Sequence, residues 1–113
     1  MSDNTETRDK FTPIEQHLFN SRTIFMNGAV NSELAATVNS QLLAMEQDDP
    51  EKPIVIWINS PGGEVQSGFS IYDTIQFIKP KVITLVAGMA ASMGSIVALA
   101  ADKENRLSLP NAK

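Results

Sequence analysis

Two short segments hold the residue types and spacing on which chemistry could be built. Ser92 sits in Gly88-Met89-Ala90-Ala91-Ser92-Met93-Gly94, flanked only by small or apolar side chains, at the junction of an extended apolar run and a helical one. A serine there is either an N-cap, satisfying an orphan N–H of the first turn, or a nucleophile whose developing oxyanion can be met by unpaired backbone N–H groups. Gly94 fills the second glycine position of a G-x-S-x-G elbow, but Ala90 replaces the first. The other segment, Asn59-Ser60-Pro61-Gly62-Gly63, follows the apolar run Ile54–Ile58, and ligands of α/β folds gather at the C-terminal ends of strands. Two adjacent glycines permit positive φ and close approach of another chain. With no Gly-Lys-Ser/Thr and no G-x-G-x-x-G, a phosphate cradle is a weak reading. A plain strand-to-helix turn competes with any functional one.

The rest of the sequence narrows the chemistry. There are 113 residues, 13 acidic and 9 basic, for a net charge of −4, and no cysteine. Disulfides, thiolate metal sites and a cysteine nucleophile are excluded. Apart from Lys79 and Lys81 no basic cluster exists to neutralise a phosphate backbone, so a nucleic-acid partner is not expected. Met1–Lys10 is polar, with no apolar signal core, which fits a cytoplasmic chain. No metal site is expected. His17, the sole histidine, precedes the first strand, and Asp73 and Asp102 read as solvated charges.

These segments need elements to position them. Residues 1–13 read as a mobile tail and 14–113 as one domain, with an apolar content of 42% that suits a globular chain. Thr23–Met26 predicts a short strand before the Asn27-Gly28 turn. Asn31 or Ser32 can cap a helix whose apolar face is Leu34, Val38, Leu42 and Met45. Ile54–Ile58 predicts a strand buried on both faces, with Trp57 as core packing. Val65, Phe69, Tyr72, Ile75 and Ile78 define a helical face that Pro80 ends. Val82–Ala87 predicts a second buried strand, and Ala90–Ala101, apolar nearly all round, a helix buried on most sides. Strand, helix, strand, helix indicates an α/β fold with a parallel sheet. The 20 residues Val82–Ala101 carry no charge and satisfy the length rule for a membrane span. Two glycines, three hydroxyls and a β-branched first half favour a buried segment and no membrane partner.

Taken together, Asn59-Ser60-Pro61-Gly62-Gly63, then Ile71-Tyr72-Asp73-Thr74-Ile75-Gln76-Phe77-Ile78-Lys79-Pro80, the Ser92 segment, and Leu109-Pro110-Asn111 resemble the Clp protease proteolytic subunit in order and spacing, from about Thr23 to Asn111. The resemblance implies a spiral of β-β-α units of the ClpP/crotonase type, an ATP-dependent serine endopeptidase cutting unfolded polypeptides, and a tetradecamer of two stacked rings, homomeric or mixed. It implies a AAA+ ATPase partner that uses the ATP, so no cofactor on this chain. Ser92 matches the nucleophile. Gly63 and Met93 match the residues whose N–H groups form the oxyanion hole. Gly62, Glu64 and Val65 match the edge along which substrate strands lie; Met93's side chain also reads as filler near the pocket.

In the family the general-base histidine follows the Leu-Pro-Asn segment and the aspartate comes later; neither is in this chain, nor is the handle helix. His17 does not match that histidine. The implied fold is therefore incomplete, and the 113 residues are expected to be inactive alone and to aggregate or depend on further material. Two other readings remain: a non-catalytic structural subunit of a mixed ring, and a crotonase-like acyl-CoA enzyme using the same paired N–H groups.

Overall fold

The computed structural model describes residues 12–113. Helix α1 (Pro13–Asn20) opens at Thr12, whose hydroxyl accepts from Glu15 N–H while Glu15 bonds back to Thr12 N–H, a capping box with proline at the first helical position. The expected tail thus lies outside the described residues, except for Thr12 and Pro13, which start this helix. Strand β1 (Thr23–Asn27) follows, then α2 (Ser32–Asp48), capped by the Asn31 side chain on Leu34 N–H at 2.8 Å. Strand β2 (Ile54–Ser60), α3 (Val65–Phe77), β3 (Val82–Ala90), α4 (Met93–Ala98), a 3₁₀ turn (Lys103–Asn105) and β4 (Arg106–Ser108) complete the unit.

The four strands are parallel and lie in sequence order, β1-β2-β3-β4. The expected α/β architecture is present. One sheet face carries Ile24, Met26, Ile54, Ile56, Ile58 and Val82 against Val38, Leu42 and Met45 of α2, Ile71 and Ile75 of α3, and Met93 and Val97 of α4. Alternation along a strand sends the remaining residues to the opposite face. There Phe25, Trp57, Leu85 and Leu107 fall in one row across all four strands, with Phe25 50% and Leu107 51% exposed. Burial of β2 on both faces is therefore corrected: Val55 and Trp57 are half-buried, and Trp57 packs on Phe25 at a ring separation of 5.8 Å.

Two helix readings also change. On α3 the buried stripe is Gly68, Ile71 and Ile75, while Val65 and Phe69 face outward. The glycine lets α3 close on the Met93 side chain, which rotates the helix off its most apolar face. The long helix expected over Ala90–Ala101 is only Met93–Ala98, and Gly88–Ala90 belong to β3. Its end is set by side chains that capture carbonyls no longer paired in the helix. Thr84 Oγ1 donates to Ala98 O, Arg106 to Leu99 O and Ala101 O, and Gln76 Nε2 to Ala100 O. No helix among the described residues is long and apolar enough to cross a membrane, and Val82–Ala101 is a strand, a turn and a short helix.

Candidate active site

The C-terminal edge of the sheet brings the two segments together. Strand β2 ends in the Ser60 turn and β3 in the Ser92 turn, and their pairing is interrupted between them. Ile58 pairs with Val86 and Ser60 with Ala90, so Asn59 alone faces Ala87, Gly88 and Met89, a bulge of β3. Asn59 Oδ1 accepts from Met89 N–H at 3.3 Å and fills this bulge. The far side of the bulge is pinned by Lys113, whose N–H donates to Gly88 O (2.9 Å) and whose carbonyl accepts from Ala90 N–H (2.8 Å).

Ser92 has φ 52° and ψ −122°, a region that a residue with a side chain rarely occupies. Its carbonyl accepts from Ser95 N–H, Ile96 N–H and the Ser95 hydroxyl, which hold the turn in place. The Ser92 side chain makes no capping bond and is exposed, so the N-cap reading is set aside. The residue stands before α4 on an outward-pointing elbow and not in the first turn of a buried helix. Strain at an exposed, uncapped hydroxyl is the arrangement of a nucleophile elbow.

The glycine turn lies directly on this elbow. Gly62, at φ 102°, is so close that a Cβ there would be 2.8 Å from Ser92 Cβ and 3.1 Å from Met93 N. Gly63 forms a parallel bridge with Val30: Val30 N–H donates to Gly62 O and Glu64 N–H to Val30 O. That pattern uses the groups on either side of Gly63 and turns its own N–H to the opposite edge. Among the described residues neither Gly63 N–H nor Met93 N–H has a backbone acceptor. The extended segment stops at Glu64, because Val65 is the first residue of α3; the substrate edge expected through Val65 is shorter by that residue. Glu64 Oε1 accepts from the Ser67 hydroxyl at 2.8 Å.

Other candidates stand apart. His17 is exposed near the end of α1 that feeds the N-terminal edge of the sheet, whereas Ser92 follows the C-terminal edge. Asp73 and Asp102 are exposed on α3 and beside the 3₁₀ turn. Sequence reasoning missed three residues that shape the site: Val30, Asn59 and Lys113. The one local signal nearby belongs to Ser60, two residues before Gly62, where a hydroxyl favours a side-chain-closed turn; the Asn59 contact with Met89 gives none.

A family model described as Clp protease matches residues 6–113. Among solved structures, a ClpP1 mutant from Listeria monocytogenes is similar to this chain at 47% sequence identity and a TM-score of 0.84 over 88% of the chain. The chain spans 57% of the length of that structure. The spiral α/β architecture is thus that of ClpP, represented here in part. With the family match extending over nearly the whole sequence, and the serine elbow and glycine turn in contact, this chain belongs to the Clp protease family.

Proposed function

We propose that this chain is the N-terminal portion of the proteolytic subunit of an ATP-dependent serine endopeptidase, and that Ser92 is its nucleophile. The observation that carries the reading is the Ser92 elbow: positive φ, exposed hydroxyl, no cap, and the Gly62 turn packed against it. In the proposed reaction Ser92 Oγ bonds to the carbonyl carbon of the scissile peptide as its proton passes to a general base. The carbonyl π pair moves onto oxygen, where Gly63 N–H and Met93 N–H receive it. Each such donor is worth about 3 kcal/mol of transition-state stabilisation. Collapse of this intermediate breaks the C–N bond, the amine leaves with the proton from the base, and water then hydrolyses the acyl-enzyme.

The base and its orienting carboxylate are assigned to residues beyond Lys113. Support comes from the Lys113 pairing with Gly88 and Ala90, which brings the chain alongside the strand that leads into Ser92. Substrate backbone would add to the Gly62–Glu64 edge, a mode of pairing that tolerates many side chains. Unfolded polypeptides are the proposed substrates, a AAA+ ATPase the partner that consumes ATP, a double ring the assembly, and the cytoplasm the setting.

A serine-reactive fluorophosphonate applied to the complete, assembled protein tests this reading. Labelling on Ser92, abolished in Ser92→Ala together with peptide hydrolysis, is expected. An active ring whose label falls elsewhere would reject Ser92 as nucleophile.

A further inference from the structure

We infer that Ser60 is a positioning residue whose buried hydroxyl aims the Gly63 N–H at the carbonyl that Ser92 attacks. This rests on the function proposed above and adds a residue to it. Ser60 is the last residue of β2 and is fully buried, and a buried hydroxyl must find hydrogen-bond partners. Its Oγ accepts from Gly62 N–H at 3.1 Å, closing the glycine turn on itself. Its carbonyl accepts from Ala91 N–H, also at 3.1 Å, and so holds the residue before Ser92. Gly94 packs so tightly on it that a Cβ there would be 2.9 Å from Ser60 O. One residue thus fixes the glycine turn with its side chain and the serine turn with its main chain.

The side-chain half of this clamp can be removed alone. Without Oγ, the buried Gly62 N–H has no acceptor, and the Pro61–Gly62 peptide that carries it can turn toward one, changing φ at Gly62 and with it the tilt of the Gly62–Gly63 peptide, which only the bond from Val30 N–H to Gly62 O then holds. That tilt moves the Gly63 donor off a developing oxyanion, while the two bonds of the Val30 bridge keep the edge that holds ground-state substrate. Stabilisation confined to the transition state appears in kcat and not in KM.

The test uses the complete, assembled protein and a small fluorogenic peptide, with Ser60→Ala and the shape-conserving Ser60→Cys, whose sulfur is a weaker acceptor. Expected is a fall in kcat of about 10- to 100-fold for Ser60→Ala, the range of a misaimed group, with Ser60→Cys between it and the wild type. KM should stay within about twofold, and affinity for a peptide boronate, which mimics the tetrahedral intermediate, should fall in parallel with kcat. Wild-type kcat and boronate affinity in an assembled Ser60→Ala ring would overturn the inference. Should Ser60→Ala not assemble, wild-type kcat in Ser60→Cys would overturn it equally. Wild-type and Ser92→Ala controls separate the two levels. If Ser92→Ala still hydrolyses peptide, the functional reading fails and this inference with it; if Ser92→Ala is dead and Ser60→Ala normal, only Ser60's role fails.

Discussion

The two edges of the sheet are built on opposite plans. At the C-terminal edge, main chain meets main chain. Gly62 touches the Ser92 elbow, Gly63 touches Val30, and Lys113 brackets the β3 bulge with two backbone bonds. At the N-terminal edge one side chain does the joining. Arg22 is buried at φ 59°, and its guanidinium donates to the carbonyls of Met45, Asp49, Lys52 and Pro53, with Asp48 3.9 Å away. A cation at the C-terminus of α2 also interacts favourably with the negative end of the helix dipole. Contacts without side chains leave no slack, and a long side chain that gathers carbonyls leaves no substitute. The stability of the first edge should fail when an atom is added, removal of the Ser60 hydroxyl altering its aim instead, and that of the second when atoms are removed.

The largest effect is expected from Gly63→Ala. Its Cβ would lie 2.1 Å from Val30 O and 2.8 Å from Val30 N, both backbone atoms, so the strand-like bridge must come apart. A loss of about 4 kcal/mol is expected, in the range reserved for backbone collisions of this kind. Chemical denaturation of the complete protein measures it; near-wild-type stability would break the comparison at the C-terminal edge. Arg22→Ala tests the other side. The half-buried bonds to the Asp49, Lys52 and Pro53 carbonyls are lost and Met45 O keeps only Asp49 N–H, a buried unsatisfied group costing about 1–3 kcal/mol before water relieves part of it. A net loss of about 3 kcal/mol is expected, and little recovery in Arg22→Lys, because an ammonium cannot span the same set of acceptors. Full recovery by lysine would show that charge, and not the fork of donors, matters there.

Gly68→Ala sharpens the contrast within the active side. The added Cβ would meet Met93 Cε at 2.4 Å, the end of a flexible side chain, and Met93 Cβ at 3.1 Å. The side chain can yield, and alanine gains about 1 kcal/mol of helix propensity over glycine. Stability should therefore change little while peptide hydrolysis falls several-fold, through displacement of Met93 and its N–H. The smallest effect is on the Arg22 side. Glu51 N–H bonded to the Asp49 carboxylate holds its pKa below the ordinary aspartate value, against a desolvation effect that raises it. A depressed folded-state pKa gives stability that is present above the unfolded value and lost as pH falls through the folded one. Thermal melts below about pH 4 should therefore show a shallower acid decline in Asp49→Asn than in the wild type.

The same contrast explains what was legible in the sequence. Asn31 and the Val38, Leu42, Met45 stripe obey local rules, and so do β1, β2 and β3, whereas the three-residue β4 carries no such signal. Ser92, Gly63 and Met93 could be singled out because the motifs that carry them are contiguous, and the structure brings the Ser92 and Gly62 turns together. Helix α1 was also readable, since Thr12-Pro13-Ile14-Glu15 is a capping box with proline at the first helical position; the polar run before it masked the signal. Other features were not local. The phase of α3 depends on Gly68 meeting Met93, and the end of α4 on side chains of Thr84, Gln76 and Arg106. Arg22 gives no sign of burial until the carbonyls of residues more than twenty positions away close around it.

The strand order has a bearing on how this chain is made. Because spatial order equals sequence order, each strand emerging during synthesis needs only to find the free edge of the strand before it, and none must be inserted between two already joined. The core face can thus be assembled progressively from Ile24 to Val97. The exception is the turn that precedes Ser92. Ala90 N–H has its acceptor on Lys113, so the segment leading into Ser92 receives its last main-chain bond only after the whole of β4 has been laid down. The turn that carries Ser92 is thereby completed after the strands around it.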